Sequence, residues 1–143
     1  FKRPPARSQL AAVEEMPEKD VKASLATILG QPFVEKDWGG ERSDLRFDRL
    51  FVDGVQTSSA WLLKGGAGVK GPMHIPDLGK RGDQIERLTT EAADVLVVQH
   101  ARGVTTPVVR LLESIATNMQ RPRRYMVLDG ADTAIILRDH GVL

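Results

Sequence analysis

Two residues of opposite charge, Asp44 and Lys64, stand 20 positions apart and bound a segment that has the pattern of a β-hairpin. If the two strands pair, these side chains share one polar face. A carboxylate and an amine so placed can form a cross-strand ion pair, which contributes well under about 1 kcal/mol. A carboxylate is also a ligand for a hard divalent cation, and a lysine amine can offset negative charge on a reacting group. The sequence leaves both interpretations open.

The register of this hairpin decides whether the two charges meet. Asp53-Gly54 supplies the turn, because such a pair accepts the backbone that a tight turn needs. A three-residue turn centred on the glycine builds one apolar face from two pairs: Leu45 with Leu63, and Phe47 with Trp61. A two-residue turn would bury less apolar surface, so we predict the first register, in which Asp44 faces Lys64.

The other residue types limit the chemistry that is open to the chain. Cysteine is absent, which excludes disulfide frameworks, zinc ribbons and thiol catalysis. The three histidines, His74, His100 and His140, are too widely spaced to form a helical metal-binding pair. A metal site would therefore depend on oxygen ligands, which favours Mg²⁺ or Mn²⁺. The lack of cysteine favours a cytoplasmic location, and no apolar run reaches the roughly 20 residues of a membrane helix.

Hydrophobic periodicity and turn residues predict helices and strands along the chain. Helices are predicted over 10–29, 82–90, 105–120 and 132–138, a hairpin over 44–64, and strands over 33–38, 94–100 and 125–128. The apolar run 95–98 and the helices between the later strands favour crossovers between parallel strands. We therefore predict an α/β sandwich with a mixed sheet, a single domain over 10–143 that follows a flexible leader over 1–9.

The order helix, three-strand meander, helix, strand is similar to the core of the PD-(D/E)xK nuclease superfamily, also called the restriction-endonuclease-like fold. In that family an aspartate begins the second strand and a lysine lies near the end of the third, which are the places of Asp44 and Lys64. The segment Trp38-Gly39-Gly40-Glu41 resembles the family's approach to the aspartate. Gln84 matches a functional glutamine of RecB-like members. The resemblance covers about residues 18–100 and implies an α-βββ-α-β core.

The resemblance implies an activity, namely metal-dependent hydrolysis of phosphodiester bonds in DNA or RNA with Mg²⁺ or Mn²⁺, as in an endonuclease. Asp44 would be the primary metal ligand. Lys64 would orient or polarise the attacking water and offset charge on the phosphate. Glu41 and Gln84 are the next candidates for the site.

One position departs from the family pattern. The acidic residue expected two positions before the lysine is replaced by Leu62. Another carboxylate can take over as the second metal ligand, and three acids are candidates: Glu41, Asp83 and the helix residue Glu18. The other explanation is a degenerate site that no longer cuts.

A glycine-rich loop over 65–79 follows the hairpin and carries basic side chains next to the predicted site. We expect four residues to contact a nucleic-acid backbone: Lys70, His74, Lys80 and Arg81. A nucleotide-binding phosphate loop is disfavoured, since the lysine precedes the glycines and no Gly-Lys-Ser/Thr follows. An ordinary solvent-exposed loop is the simpler alternative.

Three function classes therefore remain open. The first is the metal-dependent nuclease, for which the resemblance suggests a homodimer, since many nucleases of this fold dimerise to cut two strands. The second is a non-catalytic module derived from a nuclease, which binds nucleic acid or a protein partner. The third is an assembly domain in which Asp44 and Lys64 only tie the hairpin together.

Overall fold

The computed structural model describes residues 3–30, 45–67, 71–74, 77, 83–90, 92–118 and 120–143. Within them a four-stranded mixed sheet carries helices on both faces, which confirms the predicted mixed α/β class. The strand predicted over 33–38 lies outside the described residues. No described helix has the length and apolar character needed to cross a membrane.

Nine elements make up this part of the chain. In order they are α1 (Arg7–Glu15), α2 (Glu18–Ile28), β1 (Leu45–Val52), β2 (Val55–Lys64), α3 (Asp83–Thr89), β3 (Val95–His100), α4 (Thr106–Ala116), β4 (Arg124–Leu128) and α5 (Gly130–Asp139). The strand order is β1-β2-β3-β4. Strands β1 and β2 are antiparallel, whereas β2, β3 and β4 run parallel and are joined through α3 and α4, as the sequence predicts.

The turn of the hairpin has two residues rather than the predicted three. Asp53 and Gly54 both have left-handed backbone angles, with φ of 51° and 79°. This conformation matches the twist of the flanking strands, so Val52 pairs directly with Val55. The predicted register was wrong because the stereochemistry of the Asp-Gly turn outweighs the matching of apolar side chains.

A bulge then shifts the pairing a second time. Two residues of β1 between Phe47 and Leu50 stand against a single residue of β2. Beyond the bulge Phe47 lies opposite Ser59, and Leu45 lies opposite Trp61 instead of Leu63. The predicted pairs Leu45–Leu63 and Phe47–Trp61 are therefore both absent. Asp44, whose pairing with Lys64 depended on that register, lies outside the described residues.

Strand β3 forms the centre of the core, and all six of its residues are buried. One face packs Leu96 and Val98 against α3 and α4, together with Ala60 and Leu62 of β2. The opposite face packs Val95 and Val97 against α2. A strand that is covered on both faces is a continuous apolar run in the sequence. The run 95–98 therefore predicts β3 correctly.

Two helices replace the single helix predicted over 10–29. The chain breaks at Met16-Pro17, because proline cannot donate the backbone hydrogen bond that a helix interior needs. Helix α1 begins at Arg7, inside the segment predicted as a leader, and packs against α5. Gly30 follows α2 with a φ of 71°, in the stop position that the sequence predicts.

The glycines after β2 allow a close contact with the break between α1 and α2. A Cβ atom at Gly65 would collide with the backbone of Pro17 and Glu18, and one at Gly66 with the backbone of Glu14. Gly66 N–H also donates to the Met16 carbonyl at 3.0 Å. These two glycines therefore pack the end of β2 onto the helices, which explains them without a bound phosphate.

We expect Gly65→Ala and Gly66→Ala each to lower the free energy of unfolding by about 1–3 kcal/mol, since the added methyl group meets backbone that cannot rotate away. Gly71→Ala is the matched control, because a Cβ atom there would meet nothing within 4 Å. Urea denaturation followed by circular dichroism measures all three variants. Equal stability of Gly65→Ala and Gly71→Ala would contradict the close packing.

Candidate functional site

The carboxyl ends of β2 and β3 meet at one edge of the sheet. Lys64 ends β2 and lies beside His100, which ends β3. Because β2, β3 and β4 are parallel, the loops that follow them collect at this same edge, where sites of open α/β sheets commonly form. We call this place the carboxyl edge.

The Lys64 side chain lies beside an acid from α2. Its Nζ stands 3.9 Å from Glu18 Oε1, and the two side chains are 25% and 47% exposed. A long, partly exposed ion pair of this kind contributes little to stability. Glu18 is one of the three acids expected to substitute for the carboxylate that is missing at position 62. Of these three, Glu18 is the acid whose side chain the structure describes, and it lies next to the lysine.

Hydrogen bonds hold the backbone of Lys64 in place. Its N–H donates to the side-chain Oε1 of Gln99 at 3.2 Å, and its carbonyl accepts from Ala101 N–H at 3.3 Å. Gln99 is fully buried and its Nε2 donates in turn to Thr133 Oγ1 at 3.1 Å. The Thr133 hydroxyl donates to the carbonyl of Asp129 at 2.7 Å. The end of β2 is thus tied through a buried chain of bonds to the first turn of α5.

His100 is a buried, neutral histidine. It is 3% exposed, and its Nδ1 accepts a hydrogen bond from Arg102 N–H at 3.0 Å, which places the ring proton on Nε2. Burial lowers the pKa of His100; the nearby carboxylate of Asp77 raises it, and the charges of Lys64 and Arg102 lower it further. The burial and the fixed tautomer of His100 agree with a structural role next to the lysine.

The loop after β2 is fastened beside the end of β3. Met73 is fully buried, and its N–H donates to the Gly103 carbonyl at 2.9 Å. Thr105 donates to the Met73 carbonyl through both its N–H, at 3.0 Å, and its hydroxyl, at 2.8 Å. The described part of the loop is therefore an anchored segment that borders the carboxyl edge.

Asp77 and His74 lie on the exposed side of this loop. His74 N–H donates to Asp77 Oδ2 at 2.8 Å, and the His74 ring nitrogen Nδ1 stands 3.8 Å from the same oxygen. Both side chains are more than half exposed. His74 is thus accessible, as a nucleic-acid contact must be. Asp77 is near enough to His100 to affect its pKa, and nothing in the sequence distinguished it from an ordinary loop acid.

Gln84 carries an unsatisfied acceptor. It lies in the first turn of α3, which packs against β2 and α4. Its Oε1 is buried and has no hydrogen-bond partner among the described residues. An orphaned amide oxygen costs free energy unless another group binds it, so this atom is available to a ligand.

Position 62 contributes no ligand. Leu62 is 6% exposed and belongs to the core cluster that α3 and α4 cover, together with Ile85 and Leu96. A carboxylate there would be buried among apolar side chains, at a high desolvation cost. The departure from the family pattern is therefore built into the packing of the core.

Five residues that the sequence predicts for the site lie outside the described residues: Glu41, Asp44, Lys70, Lys80 and Arg81. The side chain of Asp83, at the start of α3, is also not described. Among the residues that are described, no three histidine or acidic side chains come together as a metal-binding group. The carboxyl edge brings together Lys64, Glu18 and His100, of which the sequence predicted the first two as site residues.

Acidification should destabilise the protein through His100. Folding lowers the pKa of the His100 ring, so protonation of this ring favours the unfolded chain. The contribution of neutral His100 to the free energy of unfolding is therefore full above about pH 6.5, the pKa of a free histidine, and is lost as the pH falls through the lowered pKa of the folded state. We expect His100→Asn, whose amide oxygen can still accept from Arg102 N–H, to flatten the dependence of unfolding free energy on pH. Urea denaturation across this range measures it. The exposed His140→Asn is the control, and an unchanged slope in His100→Asn would contradict the assignment.

Comparison with known proteins returned no match, whether with a protein-family model, a curated protein or a solved structure. The chemistry of the carboxyl edge is therefore judged from its own groups. These are a lysine amine beside a carboxylate and a neutral imidazole. Helix α3 adds an amide oxygen that has no partner among the described residues.

Proposed function

We propose that the chain is a metal-dependent nuclease of the restriction-endonuclease-like kind, which hydrolyses phosphodiester bonds in DNA or RNA with Mg²⁺ or Mn²⁺. The observation that carries the proposal is the placement of Lys64 at the end of β2, with its amine 3.9 Å from the carboxylate of Glu18. The order hairpin, helix, parallel strand over β1, β2, α3 and β3 agrees with an α-βββ-α-β core. The first strand of that core would be the one predicted over 33–38.

Lys64 is the central residue of the proposed site. Its backbone is held by Gln99 and Ala101, so the root of the side chain is fixed while its amine remains accessible. An amine that extends from a fixed backbone position can orient the attacking water and offset the negative charge that grows on the phosphate. Glu18 keeps the amine near the carboxyl edge until a phosphate competes for it.

The metal requirement is met only in part by the described residues. A hard divalent cation takes several oxygen ligands and supplies charge stabilisation to the phosphate and acidity to a bound water. Glu18 offers one carboxylate and Gln84 one unpartnered amide oxygen. A complete set of ligands therefore requires Asp44, with Glu41 or Asp83 as further carboxylates.

The loop after β2 contains the four residues that the proposal assigns to phosphate contacts. His74 is 61% exposed on the anchored loop, and Lys70, Lys80 and Arg81 belong to the same stretch of sequence. Contacts from such side chains to phosphate oxygens position a nucleic acid without reading its sequence. The proposal therefore assigns this loop to backbone binding.

A non-catalytic nuclease-derived module is the second candidate. Leu62 is packed in the core where the family carries an acid, and the described residues hold no three-ligand metal group. A protein that lost its second carboxylate could keep the basic loop and bind nucleic acid without cutting it. Such binding would weaken steeply with added salt, because phosphate contacts release counterions.

A cleavage assay on single- and double-stranded DNA and RNA, with Mg²⁺ or Mn²⁺, tests the proposal. We expect Asp44→Asn and Lys64→Met each to lower the cleavage rate by about a hundredfold or more, as when an electrostatic group of an active site is removed. Glu18→Gln should also lower it. Asp48→Asn and Lys19→Met are matched controls, since both residues are exposed; Asp48 lies on β1, and Lys19 follows Glu18 on α2.

The wild-type result decides between the two candidates. No cleavage of any substrate by folded protein would overturn the nuclease. Salt-sensitive binding of the same nucleic acids by that inactive protein would then support the binding module. If cleavage survives both Asp44→Asn and Lys64→Met, the activity does not come from the proposed site.

A further inference from the structure

Strand β4 forms the outer edge of the sheet in the part of the chain that the structure describes. Arg124 N–H donates to the Asp94 carbonyl at 3.1 Å, which directs the backbone groups of Arg124 toward β3. In a parallel ladder alternate residues face the same neighbour, so Tyr125 and Val127 direct their N–H and C=O groups outward. An edge of this kind is a template for pairing with another strand.

The side chains at this edge are apolar on both faces. Tyr125 is 36% exposed and Met126 is 38% exposed, and successive residues of a strand point to opposite faces. Edge strands usually resist pairing through lysine, proline or a bulge. The four residues 125–128 are Tyr, Met, Val and Leu and contain none of these, so the edge of β4 is unpaired and unprotected in the part of the chain that the structure describes.

The charges that flank β4 have opposite signs at its two ends. Three arginines precede or begin the strand: Arg121, Arg123 and Arg124. Asp129 and Asp132 follow it and cap each other's backbone N–H groups at 2.9 and 3.1 Å. Neither carboxylate has a basic side chain within ion-pair distance among the described residues. Burial raises the pKa of Asp132, and the charge of Asp129 raises it further, although the backbone hydrogen bond from Asp129 opposes the rise.

We propose that β4 pairs antiparallel with β4 of a second copy of this chain, about a twofold axis at Met126, and joins the two described four-stranded sheets into one continuous sheet. Tyr125 then lies opposite the partner's Val127, and Val127 opposite the partner's Tyr125. These are the residues whose backbone groups face outward, so the pair gains four hydrogen bonds. On one face Met126 packs against the partner's Met126.

Charge complementarity selects a second copy as the partner. An antiparallel arrangement brings the basic start of one β4 to the acidic end of the other, and in this register Arg123 lies opposite the partner's Asp129. A shift by two residues in either direction leaves one pair of outward backbone groups unmatched and moves Arg123 away from Asp129. The surface is therefore complementary to itself, as a twofold dimer interface must be.

Sedimentation velocity at micromolar concentration tests the dimer. We expect the wild-type protein to sediment with twice the mass of one chain. Met126→Lys and Met126→Glu should each be monomeric, because each would set like charges opposite each other across the axis. An equimolar mixture of the two variants should recover the dimer, since the axis then joins Lys to Glu. Phe51→Lys is the control, because Phe51 is an exposed apolar residue on β1, at the opposite edge of the described sheet, and this variant should remain dimeric.

Val127→Pro provides a second disruption that changes no charge. It removes an outward N–H and leaves the ladder with β3 intact, so a folded, monomeric variant is expected. Circular dichroism confirms that each variant is folded. A monomeric wild type, a dimer that survives both Met126→Lys and Val127→Pro, or a mixture that stays monomeric would each overturn the proposal. None of these measurements depends on nuclease activity, so either proposal can fail without affecting the other.

Discussion

The burial of β3 on both faces is the constraint on which the rest of the structure depends. A strand in that position must satisfy every polar group inside the protein, because water does not reach it. The apolar residues 95–98 have only backbone polar groups, and these are satisfied by hydrogen bonds to the neighbouring strands. The last two residues of β3, Gln99 and His100, carry polar side chains, and each finds a partner in the backbone of a neighbouring segment.

Those two partnerships link the core to the carboxyl edge. Gln99 holds the N–H of Lys64, and His100 holds the N–H of Arg102, so the ends of two loops take their positions from one buried strand. The glycines at 65 and 66 then let the helices of the N-terminal segment approach the same place. Glu18 reaches Lys64 as a result of that approach. The arrangement of charges at the edge is thus a consequence of packing that lies beneath it.

The elements could be predicted because their signals are local. The apolar run of β3, the Thr-Thr-Pro start of α4 and the Asp-Gly turn each determine the structure of their own few residues. The register of the hairpin could not be predicted by matching apolar side chains, since a left-handed turn and an extra residue in β1 decide it. Lys64 was recognisable from its place at a strand end. Gln99 carries a recognisable signal, a polar residue directly after the apolar run of a buried strand, whereas Asp77 carries none.

The bulge in β1 has a consequence for how the length of this chain can vary. On either side of it the pairs Phe47–Ser59 and Leu50–Thr57 are regular, and only one of the two residues between Phe47 and Leu50 has a counterpart on β2. Loss of Asp48 or Arg49 would leave both sets of pairs as they are and turn the irregular ladder into a continuous one. Loss of a residue elsewhere in the strand would move its side chains to the wrong faces. In an alignment with any homologue, a single-residue gap in this hairpin belongs at positions 48–49.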